Sequence, residues 1–233
     1  MTHLRPVTIR RRAMRALTAA ALGACTFGSG AQAATTTLTF GGSVSTVDTG
    51  LAGTFHSGDA VSITLRYDPS TPDLIPPNPH NAGYAYLSFD LTFGSYNVSF
   101  GTQFPNSVGV LNDADQGLGP SDAFGASAFQ TGAGPSVGGL PLQQGFVTLW
   151  DFTQTAFNDT SLPVSPSFAA FSYRVAGLTF CSNSGCGVGS DMNTVFADIG
   201  SMSVVASVPE PASAALLLAG LMLVAWRCAK RRA

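Results

Sequence analysis

Hydrophobic and polar residues alternate in short runs over the central part of this 233-residue chain. In Ala60–Tyr67, every second side chain is apolar, with serine, threonine and arginine between them, and Leu87–Phe93 follows the same rule. A period of two places the apolar side chains on one face of a half-buried β-strand. Glycine, proline, asparagine and aspartate separate the runs, as they do in turns. The pattern therefore predicts β-strands with no long helix between them.

About nine such strands are predicted. The proline-rich segment Asp68–Asn81 and the glycine-rich segment Thr131–Gln144 are predicted to be surface loops. Many short strands with turn signals between them favour an all-β fold, a single antiparallel β-sandwich or jelly-roll-like domain. The predicted strands are Thr35–Val47, Ala60–Tyr67, Leu87–Phe93, Tyr96–Phe100, Ser107–Leu111, Ala123–Phe129, Phe146–Phe152, Phe168–Phe180 and Thr194–Val205.

The first 33 residues have the composition of an export signal. Five arginines precede the short apolar run Ala16–Phe27, and the small residues Ala31 and Ala33 follow it. A basic region, an apolar region and an Ala-x-Ala step are what a signal peptidase requires. We therefore expect residues 1–33 to be a signal peptide and Ala34 to be the mature N-terminus.

Two alternatives for the N-terminal segment stay open. Leu22-Gly23-Ala24-Cys25 resembles a lipobox, which would place a lipidated Cys25 at the mature N-terminus. Arg11-Arg12 would suit twin-arginine export, but the remaining positions fit that signal poorly, so Sec export is the default expectation.

The last 26 residues contain three distinct parts. Pro209, Glu210 and Pro211 come first, and the two prolines hold the chain extended because each fixes φ and lacks an amide donor. The following segment, Ala212–Trp226, is apolar all round and is predicted to be a transmembrane helix. A basic tail, residues 227–233, completes the chain, and its cations are expected to stay cytoplasmic.

A plain tail anchor or a buried terminal helix would give a similar hydropathy pattern. Fifteen helical residues span about 22 Å, less than the roughly 30 Å of a bilayer's hydrocarbon core. Long basic side chains at the end of the segment extend its effective length by snorkelling. A buried helix would explain neither the basic tail nor the Pro-Glu-Pro step, so we favour the interpretation as a signal.

Pro-Glu-Pro, an apolar segment and a basic tail, in that order, resemble the PEP-CTERM sorting signal of Gram-negative bacteria. The resemblance implies that an exosortase recognises and processes residues 208–233, that the precursor is anchored in the inner membrane, and that the mature form lies at the cell surface or outside the cell. It also implies an association with exopolysaccharide and the biofilm matrix, and a mature part made of one β-sandwich. Residues implied in recognition are Pro209, Glu210 and Pro211, and those implied in topology are Arg227, Lys230, Arg231 and Arg232.

The predicted domain, residues 34–207, is strongly acidic. Its basic side chains are two arginines, Arg66 and Arg174, against twelve aspartates, which gives a formal charge of −10. Nucleic acid is excluded as an expected partner because phosphate binding requires a basic surface. This length is sufficient for one domain with its own hydrophobic core.

Cys181 and Cys186 are the two cysteines of the predicted domain. In an oxidising compartment this spacing favours a disulfide that closes a tight loop. A metal site would require further ligands, and no histidine lies nearby in the sequence.

Motifs for catalysis are absent from the sequence. His56 and His80 lie in polar segments, and no Gly-x-Ser-x-Gly elbow accompanies them, so we expect solvated loop histidines. A pair of aspartates could serve glycoside hydrolysis, but the sequence does not show which pair converges. We therefore expect the protein not to be an enzyme.

Two positions indicate weak candidate ligand sites. Asp113 and Asp115 precede a glycine in the pattern that begins a calcium loop, although asparagine- and aspartate-rich turns give the same pattern. Trp150 is either a sugar-stacking platform or a core tryptophan of its strand, and we favour the core. The expected cofactor is none, with calcium as the candidate.

These observations predict an exported, exosortase-sorted protein whose domain is a non-catalytic structural or adhesive module associated with exopolysaccharide. The alternative is a carbohydrate-binding module, and a secreted hydrolase is the third choice. An exposed aromatic platform would favour the binding module, whereas ionisable side chains converging in a cleft would favour the enzyme.

Overall fold

The structure is a computed structural model that describes residues 34–75, 77–103, 105–117, 119–130, 135–182, 186 and 192–207. These residues belong to one compact unit, Ala34–Ser207. Its strands are β1 (Thr35–Val47), β2 (Ala60–Tyr67), β3 (Asn81–Tyr84), β4 (Ser88–Phe93), β5 (Tyr96–Phe100), β6 (Ser107–Asp115), β7 (Pro120–Phe129), β8 (Ser136–Val137), β9 (Leu140–Asp151), β10 (Tyr173–Cys181) and β11 (Met192–Ser207).

The strands form one antiparallel sheet that curls into a half-barrel. Along the sheet the order is β3-β6-β7-β9-β10-β11-β1-β2-β4-β5, and β8 forms a small hairpin with β9 beside this path. The prediction of an all-β, antiparallel fold is confirmed. However, a single continuous sheet replaces the two separate sheets of the expected sandwich, because β1 pairs with both β11 and β2 and so joins the two halves.

Two register shifts lie where β1 meets β11. Their register shifts between Gly41 and Gly42 and again between Val44 and Thr46. Such β-bulges bend a strand and increase its twist. These bulges contribute to the curl of the sheet, whose concave face encloses the core.

Side chains from opposite halves of the sheet meet on the concave face. The ring of Tyr67 in β2 lies 6.1 Å from that of Phe124 in β7, although four strands lie between them in the sheet order. Gly145 in β9 lies directly against the ring of Phe100 in the edge strand β5. Both contacts show that the two halves pack face to face around one hydrophobic core.

Most predicted strands are present, with differences at their ends. The predictions for β1, β2 and β5 match the observed bounds. The sequence prediction missed β3 and β8, and residues 140–144 of the predicted loop Thr131–Gln144 belong to β9. The strand predicted to start at Phe168 begins with a 3-10 turn, and β10 starts at Tyr173.

A disulfide joins Cys181 and Cys186, whose Cα atoms lie 5.4 Å apart. It lies at the end of β10 and closes a short loop on the way to β11. The predicted pairing is confirmed.

Both predicted targeting segments, residues 1–33 and 208–233, lie outside the described residues. This applies to Cys25, Ala31 and Ala33 at one end, and to Pro-Glu-Pro, the apolar segment and the basic tail at the other. Within the described ranges, helical structure is limited to two 3-10 turns, and no helix has the length and apolarity to cross a membrane.

The packing of Gly145 gives a direct test of the two-halved core. In Gly145→Ala, the new methyl group would lie about 2.5 Å from the ring of Phe100. That ring is buried and stacks on Phe89 at 5.8 Å, so it has no free space to move into. We expect the substitution to lower the free energy of unfolding by about 1–3 kcal/mol, measured by chemical denaturation.

Gly200→Ala in β11 is the matched control, because an added Cβ meets no atom within 4 Å there. It should leave stability unchanged or raise it by a few tenths of a kcal/mol, since alanine restricts the unfolded chain. Equal effects of the two substitutions would contradict the face-to-face packing.

Candidate functional site

A shallow groove crosses the convex face of β6, β7 and β9. Its floor is formed by one row of paired residues, Gly109, Gly125 and Thr148, which share a face because directly opposite residues of antiparallel strands do. The depression has a volume of about 200 Å³ and is open to solvent. The two glycines leave the backbone uncovered, so this part of the sheet is lower than its surroundings.

Trp150 forms one wall of the groove. It is paired with Ala123 in β7 and with Tyr173 in β10, so all three lie on the convex face. The adjacent side chains of β9, Leu149 and Asp151, are 0% and 1% exposed and occupy the concave face. The interpretation of Trp150 as a core residue is therefore wrong, because the strand's alternation assigns the interior positions to its neighbours.

Three aromatic side chains form a patch at this end of the sheet, which we call the aromatic patch: Trp150, Phe152 and Tyr173. The rings of Trp150 and Phe152 have centroids 6.2 Å apart and planes within 9° of parallel. Phe152 is 45% exposed and Tyr173 is 52% exposed. Large aromatic side chains that remain in water next to a groove are unusual and favour a binding surface.

Hydroxyl groups lie on the opposite side of the groove floor. Ser107 and Ser127 are paired across β6 and β7, in the row next to that of Gly109 and Gly125. Their side chains are half-buried and make no hydrogen bond to any described residue. These hydroxyls remain available to a ligand in the groove, as does that of Thr148 on the floor.

The groove carries no positive charge within the described residues. Arg66 lies in β2, far from β7 in the sheet order. Arg174 donates through Nε to the carbonyl oxygen of Phe171 at 2.7 Å and lies 4.0 Å from the centroid of the Phe168 ring. The groove is thus apolar and hydroxyl-lined, in a domain of negative charge.

Two buried aspartates support the end of the sheet next to the aromatic patch. Asp122 in β7 and Asp151 in β9 are directly paired and are 0% and 1% exposed. Asp122 accepts hydrogen bonds from the backbone N–H groups of Asp113 and Phe157, both at 2.9 Å. Its carboxylate therefore connects the β6–β7 hairpin to the segment that follows β9.

Residues 152–167, which we call the capping loop, are held in place by Asp151. This carboxylate accepts bonds from the N–H and hydroxyl groups of Thr153 and Thr155 and from the N–H of Ala156, at 2.6–3.1 Å. Burial by itself raises the pKa of Asp151, but the bonds from Thr153 and Thr155 outweigh it and lower the pKa to about 2. The residue is therefore ionised at neutral pH.

Side chains from other strands donate hydrogen bonds to backbone carbonyl groups at the far end of the capping loop. The hydroxyl of Tyr67 donates to the carbonyl oxygen of Pro163, and that of Tyr84 donates to that of Thr160, both at 2.7 Å. Burial raises the pKa of both tyrosines, so they remain protonated donors. The capping loop thus closes one end of the core and fixes the start of the aromatic patch at Phe152.

Asp113 and Asp115 have turn roles in the structure. Asp113 is exposed at a register shift in β6 and has φ of +51°, a conformation that aspartate tolerates. Asp115 accepts a bond from the N–H of Gly117 at 2.8 Å, as in an Asx turn. Among the residues that the structure describes, no three His, Cys, Asp or Glu side chains form a group that could hold a metal ion.

Neither His56 nor His80 contacts the buried carboxylates or the groove. His56 is exposed, and its backbone N–H donates to Asp59 at 2.8 Å. His80 is also exposed, with Nδ1 3.0 Å from the carbonyl oxygen of Asn112. Asp122 and Asp151, which do converge, are buried and accept hydrogen bonds from backbone N–H groups.

Sequence reasoning missed both the groove and the buried aspartates. The groove depends on which glycines and serines become neighbours across three strands, and this depends on register. A signal existed for Asp151, since it is followed by Thr153 and Thr155, whose N–H and hydroxyl groups favour a local turn around a carboxylate.

The role of Asp151 predicts a pH-dependent loss of stability. Its pKa in the folded protein is below the ordinary value of 3.8, so its stabilising effect is complete above about pH 4 and is lost as the pH falls through about 2. Asp151→Asn replaces an acceptor oxygen by an NH₂ group that faces N–H donors. We expect it to lower the free energy of unfolding by roughly 1–3 kcal/mol at pH 7, and the difference from the unsubstituted protein should shrink towards pH 2.

Asp115→Asn serves as the control, because the exposed Asx turn is one that asparagine also forms. Denaturation at a series of pH values checks both variants. A difference for Asp151→Asn that stayed constant from pH 7 to pH 2 would disprove the assigned role.

Comparisons with known proteins give no assignment. No protein-family model, curated protein or solved structure matches the chain.

Proposed function

We propose that this protein is exported, sorted by an exosortase and placed at the cell surface or in the extracellular matrix, where its β-domain acts as a non-catalytic structural or adhesive module. The precursor is held in the inner membrane by residues 208–233 until it is processed. Exopolysaccharide of the biofilm matrix is its proposed partner.

The observation that carries the proposal is the order of three features at the C-terminal end. Glu210 is the only glutamate of the chain and lies between two prolines, and Lys230 is the only lysine and lies in the basic tail. The apolar segment Ala212–Trp226 separates them. This concentration of rare residues in one short region supports a role in recognition rather than in folding.

The disulfide and the charge of the domain are compatible with a location outside the cytoplasm. Cys181 and Cys186 are joined in a disulfide, which persists in oxidising compartments. The formal charge of −10 favours solubility and disfavours association with nucleic acid. The converging carboxylates bind the capping loop instead of facing a cleft, which supports a non-catalytic module.

Processing in a native host tests the sorting proposal. Glu210→Ala removes the one acidic side chain next to the apolar segment and should cause full-length, membrane-retained precursor to accumulate. The measurement is the ratio of precursor to processed protein, obtained by immunoblotting of membrane and medium fractions and by intact mass.

Two matched variants separate recognition from general effects. Leu218→Ala changes the apolar segment, and Asp115→Ala removes an exposed acid of the domain; each should mature more completely than Glu210→Ala. The sorting proposal fails if Glu210→Ala matures as completely as the unsubstituted protein.

A further inference from the structure

We propose that the groove on the convex face of β6, β7 and β9, together with the aromatic patch, is a binding site for a neutral polysaccharide chain. This deepens the proposed function by naming the surface and the ligand class. The natural source of the glycan depends on that function, but the binding of a glycan to this surface does not.

Aromatic side chains supply the first argument. The CH groups on the face of a pyranose ring pack on aromatic rings, while its hydroxyls remain directed outwards. Trp150, Phe152 and Tyr173 provide apolar faces of this kind, and the planes of the first two rings are nearly parallel. All three lie at the end of the groove where β9 leaves the sheet and β10 enters it.

Hydrogen-bonding groups in the groove match a sugar rather than an apolar ligand. The hydroxyls of Ser107, Ser127 and Thr148 make no hydrogen bond to any described residue. Each hydroxyl both donates and accepts, as do the hydroxyls of a glycan. A site that combines an apolar wall with a few polar groups fixes a ligand's orientation as well as binding it.

Charge selects the class of glycan and excludes other occupants. Asp198 lies on the same convex face, paired with Val175, and no described cation lies in the groove. Anionic polysaccharide and nucleic acid are therefore repelled. A second copy of the domain, which itself carries a charge of −10, is disfavoured for the same reason.

The floor of the groove offers a variant that blocks binding without removing an aromatic ring. An added Cβ at Gly109 meets no atom within 4 Å, so Gly109→Val fills the groove without a clash in β6. Gly200→Val in β11 is its matched control, because that glycine also has open space beside it. For the wall, Trp150→Ala is paired with Phe129→Ala, an exposed aromatic residue of β7 outside the groove.

The experiment uses the full-length chain in lipid nanodiscs, with empty nanodiscs as the blank. Binding to cellulose and to curdlan, two neutral β-glucans, is measured by depletion from the supernatant, with alginate gel as the anionic comparison. We expect retention on at least one neutral glucan and none on alginate. Trp150→Ala and Gly109→Val should each weaken retention by about tenfold or more, while the two control variants bind as the unsubstituted protein does.

Melting temperatures establish whether each variant is folded. If Trp150→Ala is not folded, the retention of Gly109→Val on the glucans tests the proposal. Absence of retention on both glucans would overturn the proposal, as would stronger retention on alginate. Equal weakening in the control variants would also overturn it. None of these results depends on Glu210 or on processing, so a failure of the sorting proposal is recognised separately by its precursor assay.

Discussion

Two carboxylates buried side by side without a cation determine how one end of this domain is built. Asp122 and Asp151 face each other across β7 and β9. A buried charge is stable only when it is paired or fully hydrogen-bonded, and the described residues place no arginine against this pair. Backbone N–H groups therefore replace the missing cation. The turn of Asp113 and the capping loop, residues 152–167, adopt the conformations that direct those N–H groups inwards.

The capping loop in turn connects distant parts of the half-barrel. Its carbonyl groups accept bonds from Tyr67 and Tyr84, which lie in different halves of the sheet order, and Thr36 donates to Val164. Long loops without secondary structure are uncommon in compact domains, and here polar groups from five strands hold one in place. The same loop begins at Phe152, so the network that satisfies the buried carboxylates also fixes one side chain of the proposed glycan site.

Glycines have opposite roles on the two faces of the sheet. At Gly145 on the concave face, the missing side chain allows Phe100 of the opposite half to approach, which is a requirement of packing. At Gly109 on the convex face, nothing fills the space, and the result is the groove. A glycine that packing does not require, next to exposed aromatic residues, is more easily explained by a ligand than by stability.

Much of the architecture follows from the sequence by itself. The period-two alternation of Ala60–Tyr67 predicted β2 and its buried face correctly, because side chains of a strand alternate whatever its neighbours are. The spacing of Cys181 and Cys186 predicted their bond. In contrast, β3 was missed because Asn81–Tyr84 is too short and too poor in apolar residues to show a period, and it is a strand only because it pairs with β6.

The tertiary structure alone decided which side chains face the core and which of them converge, because both depend on the register of the strands. Whether Trp150 faces the core or the solvent depends on whether the odd- or the even-numbered residues of β9 point inwards. A shift of one residue in the register of the strand would exchange the two faces. The convergence of Asp122 with Asp151, and of Gly109 with Gly125, likewise requires the pairing of strands whose order differs from that of the chain. The sequence by itself determined most of the strands, the charge, the disulfide and the resemblance of the C-terminal end to a sorting signal. Only the curled sheet determined which of these residues became neighbours, because long-range pairing depends on the core as a whole.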